Sequence, residues 1–203
     1  LRRQFRNERA DLEADGRLVR AGKLENVLIT IGGSDPTNES AKALRAIESA
    51  GFNGRVDVVA GPANRRRAEL ESLADQREGR VVLHRNVRNM AQLMSYQDLA
   101  ICGAGGTSWE LACLGVPMIQ VVIAKNQRSN AEWLADRGVS RCVGWHAEVD
   151  VPGLEELFEE LRADQTTRRD MSSRGVGLVD GRGPRRVLDA ILGEGSLRGG
   201  THA

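Results

Sequence analysis

The sequence predicts an α/β fold: a Rossmann-like, six-stranded parallel sheet wrapped by helices. Three observations predict it. Short β-branched runs alternate with longer helical segments from Asn26 onward. The 203 residues suit one full α/β domain with terminal extras and fall short of two ordinary domains. Two of the apolar runs also end in glycines that pass at once into a helix, the junction that α/β proteins use to hold anions.

The elements follow in order. Leu1 to about Glu13 is charged, with scattered apolar positions such as Phe5 and Leu12, and reads as a short helix or a connecting segment; Asp15–Leu24 reads as a loop. The chain opens on Leu1 rather than methionine and looks like a cut end, so residues 1–25 are expected to be an interdomain segment or linker. Strands are expected at Val27–Ile31, Val56–Ala60, Val81–His84, Leu99–Cys102, Met118–Ile123 and Arg141–Val143. Helices are expected at Asn38–Ala50, Asn64–Asp75, Met90–Tyr96, Ser108–Leu114, Arg128–Arg137, Leu154–Ala163, Thr166–Arg174 and Pro184–Leu192. Residues 26–193 thus form the domain, and the glycine-rich 194–203 a flexible tail.

Right-handed crossovers order six such strands 3-2-1-4-5-6, which makes the first and fourth neighbours. Ligands bind in the crevice beyond their C-terminal ends. The two glycine loops follow those two strands: Gly32-Gly33-Ser34-Asp35 after the first, Gly103-Ala-Gly105-Gly106 after the fourth. Bare N–H groups and a positive helix end would face one spot there. In the first loop Asp35 and Pro36 read as the opening of the helix. In the second, Thr107 and Glu110 fit a capping box, although a carboxylate one turn into such a helix also suits the two hydroxyls of a ribose. Ala124-Lys-Asn126-Gln127-Arg128 follows the fifth strand, where Asn126 either meets a sugar or caps the next helix. Arg65-Arg66-Arg67 reads as a solvated helix face away from the crevice.

Several classes are excluded. Lysine and arginine number 29 against 28 acidic residues, so there is no general field for nucleic acid or an anionic membrane. No apolar run approaches the roughly 20 residues of a membrane span, and the chain reads as cytoplasmic. Cys102, Cys113 and Cys142 lack metal-ligand spacing and read as buried thiols, while His84, His146 and His202 have no nucleophile beside them in sequence. A dinucleotide fingerprint fails because Ser108 stands where its third glycine belongs and apolar Ile123 where its acid belongs. There is no G-x-x-x-x-G-K-[ST] loop either.

Val27-Leu-Ile-Thr-Ile-Gly-Gly-Ser-Asp-Pro36, Asn89-Met-Ala-Gln-Leu-Met94, Ala104-Gly-Gly-Thr-Ser-Trp-Glu110, Cys113-Leu-Gly-Val-Pro117, Asn126-Gln127-Arg128 and Asp180-Gly-Arg-Gly183 come in a specific order. Together they resemble the nucleotide-sugar-binding, C-terminal half of GT-B proteins. The nearest resemblance is to the UDP-sugar hydrolases of pseudaminic acid synthesis and their spore-coat polysaccharide relatives; a more distant one is to the lipid II N-acetylglucosaminyltransferase.

The resemblance implies roles. Gly33 and Ser34, with Gly105, Gly106, Thr107 and Ser108, would face the diphosphate. Glu110 would hold the ribose hydroxyls, and Val87 would read the uracil edge through its backbone. Asn126 and Gln127 would meet the sugar or its phosphate, and Asp180 would approach the cleft or cap a helix. The implied ligand is UDP or a UDP-sugar, with no cofactor and no metal. The implied reaction is hydrolysis of a UDP-linked 2,4-diacetamido-2,4,6-trideoxy sugar, whose base is a histidine in an N-terminal G-x-G-H loop. That motif does not occur here, so this chain would need an N-terminal domain or a partner chain. The alternatives are the donor domain of a GT-B glycosyltransferase and a non-catalytic nucleotide-sugar-binding module.

Overall fold

Six parallel strands build one sheet in the computed structural model, which describes residues 1–77 and 79–192. They are β1 (Asn26–Thr30), β2 (Arg55–Ala60), β3 (Val81–Arg85), β4 (Leu99–Gly103), β5 (Met118–Val122) and β6 (Ser140–Trp145), ordered β3-β2-β1-β4-β5-β6. This is the order expected from right-handed crossovers. The inner strands are mostly apolar because helices cover both faces, and β4 and β5 are buried at every residue.

One face is packed by α2 (Glu39–Ser49), α3 (Arg67–Asp75) and α7 (Val151–Ala163), with Ile29, Ile47, Val58 and Phe158 in its core. The rings of Phe52 and Phe158 meet edge to face at 5.6 Å there. The other face carries α1 (Arg3–Ala14), α4 (Met90–Ser95), α5 (Gly106–Cys113) and α6 (Arg128–Asp136) over Leu28, Ala100, Cys102 and Met118. Two more helices, α8 (Gln165–Leu178) and α9 (Gly183–Ile191), follow; α9 leaves Val187, Leu188 and Ile191 exposed. The expected tail at 194–203 lies outside the described residues.

The first segment is a helix with its apolar side in the core: Phe5 and Leu12 are buried. Arg9 fastens it, its guanidinium donating to the carbonyls of Cys113 and Val179 at 2.9 Å and of Val176 at 3.2 Å. Those are carbonyls near the C-terminal ends of α5 and α8, which lack partners within their own helices.

Two helix starts differ from expectation. Pro36 does not open α2: Asn38, at φ 62°, is left-handed and breaks the run, so the helix begins at Glu39. Asp35 still serves it, accepting from the N–H groups of Glu39 and Ser40 at 2.8 and 3.0 Å. The second helix, α5, starts at Gly106 rather than Ser108, since two glycines let the turn close early.

One carboxylate is buried within the sheet. Asp57 on β2, 2% exposed, accepts from Arg55 at 2.8 and 2.9 Å, meets His84 at 2.6 Å and accepts from Gln97 at 3.1 Å. Burial alone would raise its pKa, but the bonds from Arg55, His84 and Gln97 together outweigh it and hold the carboxyl below the ordinary range. A depressed folded pKa contributes stability above the unfolded value of about 3.9 and loses it as pH falls. Urea midpoints measured from pH 7 down to pH 3 should therefore fall more steeply in the parent than in Asp57→Asn; equal slopes would remove Asp57 from the acid response.

Candidate functional site

The site is built where the sheet changes winding direction. β1 pairs with β4 in register, Thr30 opposite Cys102, so the loops that follow leave the sheet side by side. A methyl group added to Gly103 would meet the Ile31 carbonyl at 3.1 Å. Both loops offer bare backbone: Gly32, Gly33, Ser34 and Gly106 are exposed, and Gly105 and Thr107 half-buried.

Each loop is braced from outside. Gly33 accepts from the Ala63 N–H at 3.2 Å, and a Cβ on Gly61 would lie 2.2 Å from the Gly33 oxygen and 2.5 Å from its Cα. Only glycine permits that backbone contact. Gly61→Ala is expected to push the first loop aside and destabilise the fold by about 1–3 kcal/mol, the usual range for overpacking, seen as a lower urea midpoint. An unchanged midpoint would show the loop to be free to move.

The second loop is held by the first turn of α6 and by the β5–α6 connection, which contains one 3₁₀ turn, Lys125–Gln127. Asn130 donates to the Ala104 carbonyl at 2.7 Å. Gln127 lies against Gly105, its Nε2 3.3 Å from where a Cβ would stand, while its Oε1 accepts from the Ile123 N–H at 3.3 Å. Gln127 is thus brought to the glycine loop, and Asn126 is exposed beside it. Asn126 does not cap α6, whose N-cap residue is Gln127 with no side-chain bond.

The capping box is not formed. Gly105 is the N-cap of α5, so Thr107 lies inside the helix and Glu110 stands two residues beyond the position from which it could reach back. Glu110 instead accepts from Arg2 Nη2 at 3.0 Å, with 16% of its side-chain surface exposed. Ser108 also departs from expectation. Its side chain is fully buried and turned beneath the loop, accepting from Gln120 Nε2 at 2.7 Å, rather than opening on the crevice.

Val87 follows β3 by two residues on the same C-terminal edge, at the border of the sheet and separated from β1 by β2. Asp180 accepts from the Arg182 N–H at 2.9 Å and pairs with Arg186, in the turn before α9. The amide bond, then the guanidinium, keeps its carboxyl below the ordinary range. It nevertheless lines a cavity of about 420 Å3 together with Gly106, Trp109 and Leu178, so the α5 N-terminus and the Asp180 turn share one hollow.

Sequence reasoning missed two features. Arg65 and Arg66 are not remote: they line a hollow with Ser34, Asp35 and Pro36, beside the first loop. The signal was available, since the segment follows the C-terminal end of β2. The other is Gln120, a lone polar residue in the apolar run Met118–Val122. Among the described residues no cluster of three or more histidine, cysteine or acidic side chains is arranged to hold a metal ion, and no helix is long and apolar enough to cross a membrane.

The chain is similar to known proteins. The spore coat polysaccharide biosynthesis protein SpsG of Bacillus subtilis (strain 168) is 27% identical over 82% of the chain and 49% of its own length. The UDP-N-acetylglucosamine--N-acetylmuramyl-(pentapeptide) pyrophosphoryl-undecaprenol N-acetylglucosamine transferase of Chromobacterium violaceum is 30% identical over 84% of the chain and 48% of its own length. The chain therefore spans about half of each. Among solved structures, Anabaena Alr3699/HepE in complex with UDP-glucose superimposes with a TM-score of 0.65 at 14% identity, covering 93% of this chain and 52% of that one, which shows the fold. The glycosyltransferase family 28 C-terminal domain matches residues 26–179, and the chain belongs to that family.

Proposed function

We propose that this chain is the donor half of a GT-B glycosyltransferase, which grips a UDP-sugar while an acceptor-bearing half completes the reaction. The observation that carries the reading is the pair of braced glycine loops at the β1/β4 junction, with exposed backbone at Gly33, Ser34 and Gly106. A diphosphate seated there takes its charge partners from the α5 N–H groups and helix end, which cost no reorganisation as the leaving group departs. Gly105, Gly106 and Thr107 supply those amides, and Ser108 contributes through the backbone. Glu110 takes the ribose hydroxyls, and the Val87 backbone reads the uracil. Asn126 and Gln127 face the sugar or its phosphate, with Asp180 at the margin.

The transferase reading is preferred to hydrolysis. The matched family is named for glycosyl transfer, and the Chromobacterium relative is an N-acetylglucosamine transferase. Neither supports the hydrolase expectation or the trideoxy sugar attached to it.

Isothermal titration of the 203-residue chain tests the nucleotide. UDP should bind in preference to inorganic phosphate and to NAD. Equal affinities would remove the nucleotide reading. Mixing the chain with UDP-N-acetylglucosamine and a separately expressed acceptor half should yield glycosylated acceptor; free sugar formed at the same rate without acceptor would restore the hydrolase.

A further inference from the structure

We propose that Gln120 is a positioning residue for the diphosphate loop, holding the first turn of α5 in its anion-binding geometry from inside the core. The proposal rests on the diphosphate reading of that loop. Gln120 stands in the middle of β5 with no exposed surface, opposite Cys102 on one neighbouring strand and Cys142 on the other. A carboxamide so placed is costly unless its polar atoms are bonded. Here they are, in a directed chain. Ser140 Oγ donates to Gln120 Oε1 at 2.6 Å, Gln120 Nε2 donates to Ser108 Oγ at 2.7 Å, and Ser108 Oγ donates to the Gly103 carbonyl at 3.4 Å. The three side chains are at most 1% exposed.

The chain of bonds ties β6, β5 and the exit of β4 to α5 at its first turn. The later part of α5 is anchored by Leu111, Ala112 and Cys113. Its first turn is preceded by Gly105 and begins with Gly106, and Ser108 is the one fully buried side chain in it. Ser108 therefore sets the height and rotation of that turn over the sheet, and Gln120 sets Ser108. A leucine in place of Gln120 would fill similar space without fixing either.

Gln120→Leu tests this, with UDP affinity measured by calorimetry, uridine affinity by NMR titration, and amide hydrogen exchange followed across the chain. UDP binding should weaken about tenfold or more, as expected when hydrogen bonds to a charged group are misplaced. Uridine binding should hold, and exchange should accelerate at the amides of residues 104–108 alone. A folded variant that binds UDP like the parent, or that loses UDP and uridine affinity in equal proportion, overturns the proposal. If Gln120→Leu does not fold, the triple variant Ser108→Ala, Gln120→Leu, Ser140→Ala replaces it, because removing all three polar side chains leaves no buried side-chain donor or acceptor unpaired. If the parent itself does not bind UDP, the nucleotide reading fails on its own; exchange then decides, and unchanged rates at residues 104–108 overturn the positioning role.

Discussion

Phe5→Ala is expected to lower the unfolding free energy by about 3–5 kcal/mol, the range for emptying a buried phenylalanine site. Phe5 has no exposed surface, although it lies in a segment whose composition is that of a solvated linker. It packs in the cluster that includes Met94, Leu111 and Leu114, and the Arg2 guanidinium lies 5.2 Å from its ring centre. Domains of this kind hold only about 5–15 kcal/mol in all, so the loss is a large share. Urea denaturation should show a lower midpoint with the same slope, while Arg3→Ala, on the exposed side of α1, should stay within about 0.5 kcal/mol of the parent. Equal midpoints for Phe5→Ala and the parent would place α1 outside the cooperative unit.

Glu110→Ala is expected to cost about 1.5–3 kcal/mol of UDP binding, roughly 10- to 150-fold in affinity, as for a hydrogen bond to a charged group. The loss should be smaller for 2′-deoxy-UDP, which offers the carboxylate one hydroxyl fewer. Arg2→Ala should act in the opposite direction. In the free chain Arg2 occupies Glu110 at 3.0 Å, and Arg2 is mostly exposed, so the ion pair is worth about 0–1 kcal/mol and its removal tightens UDP by about fivefold at most. Calorimetry on the three proteins decides: a Glu110→Ala chain that melts earlier yet binds UDP unchanged would make the carboxylate a structural group.

The sheet was legible because its signals are local. Apolar runs such as Leu99–Cys102 and Met118–Ile123 stand out against amphipathic helices, and handedness then leaves one economical order for the strands. The glycine loops were legible for the same reason. The failures share another cause: each depends on where a helix starts or a side chain turns once its neighbours are in place. Ser108 and Thr107 are adjacent hydroxyl residues in the sequence, yet one is buried under the helix and the other is not, because α5 starts two residues earlier than expected. The αL conformation of Asn38 delays α2 in spite of Pro36. Glu110 met a partner 108 positions away that no spacing rule reaches. Gln120 was visible as an interruption in an apolar strand, but its partners on α5 and β6 were not.

The family match begins at residue 26, whereas the packed unit also includes α1, which is pinned to α5 and α8 by Arg9 and to the core by Phe5 and Leu12. A chimera that preserves this packing therefore has to carry α1 together with the sheet. A chimera joined at residue 26 would graft the sheet while discarding one of the helices that shields it, and would inherit a foreign segment in its place.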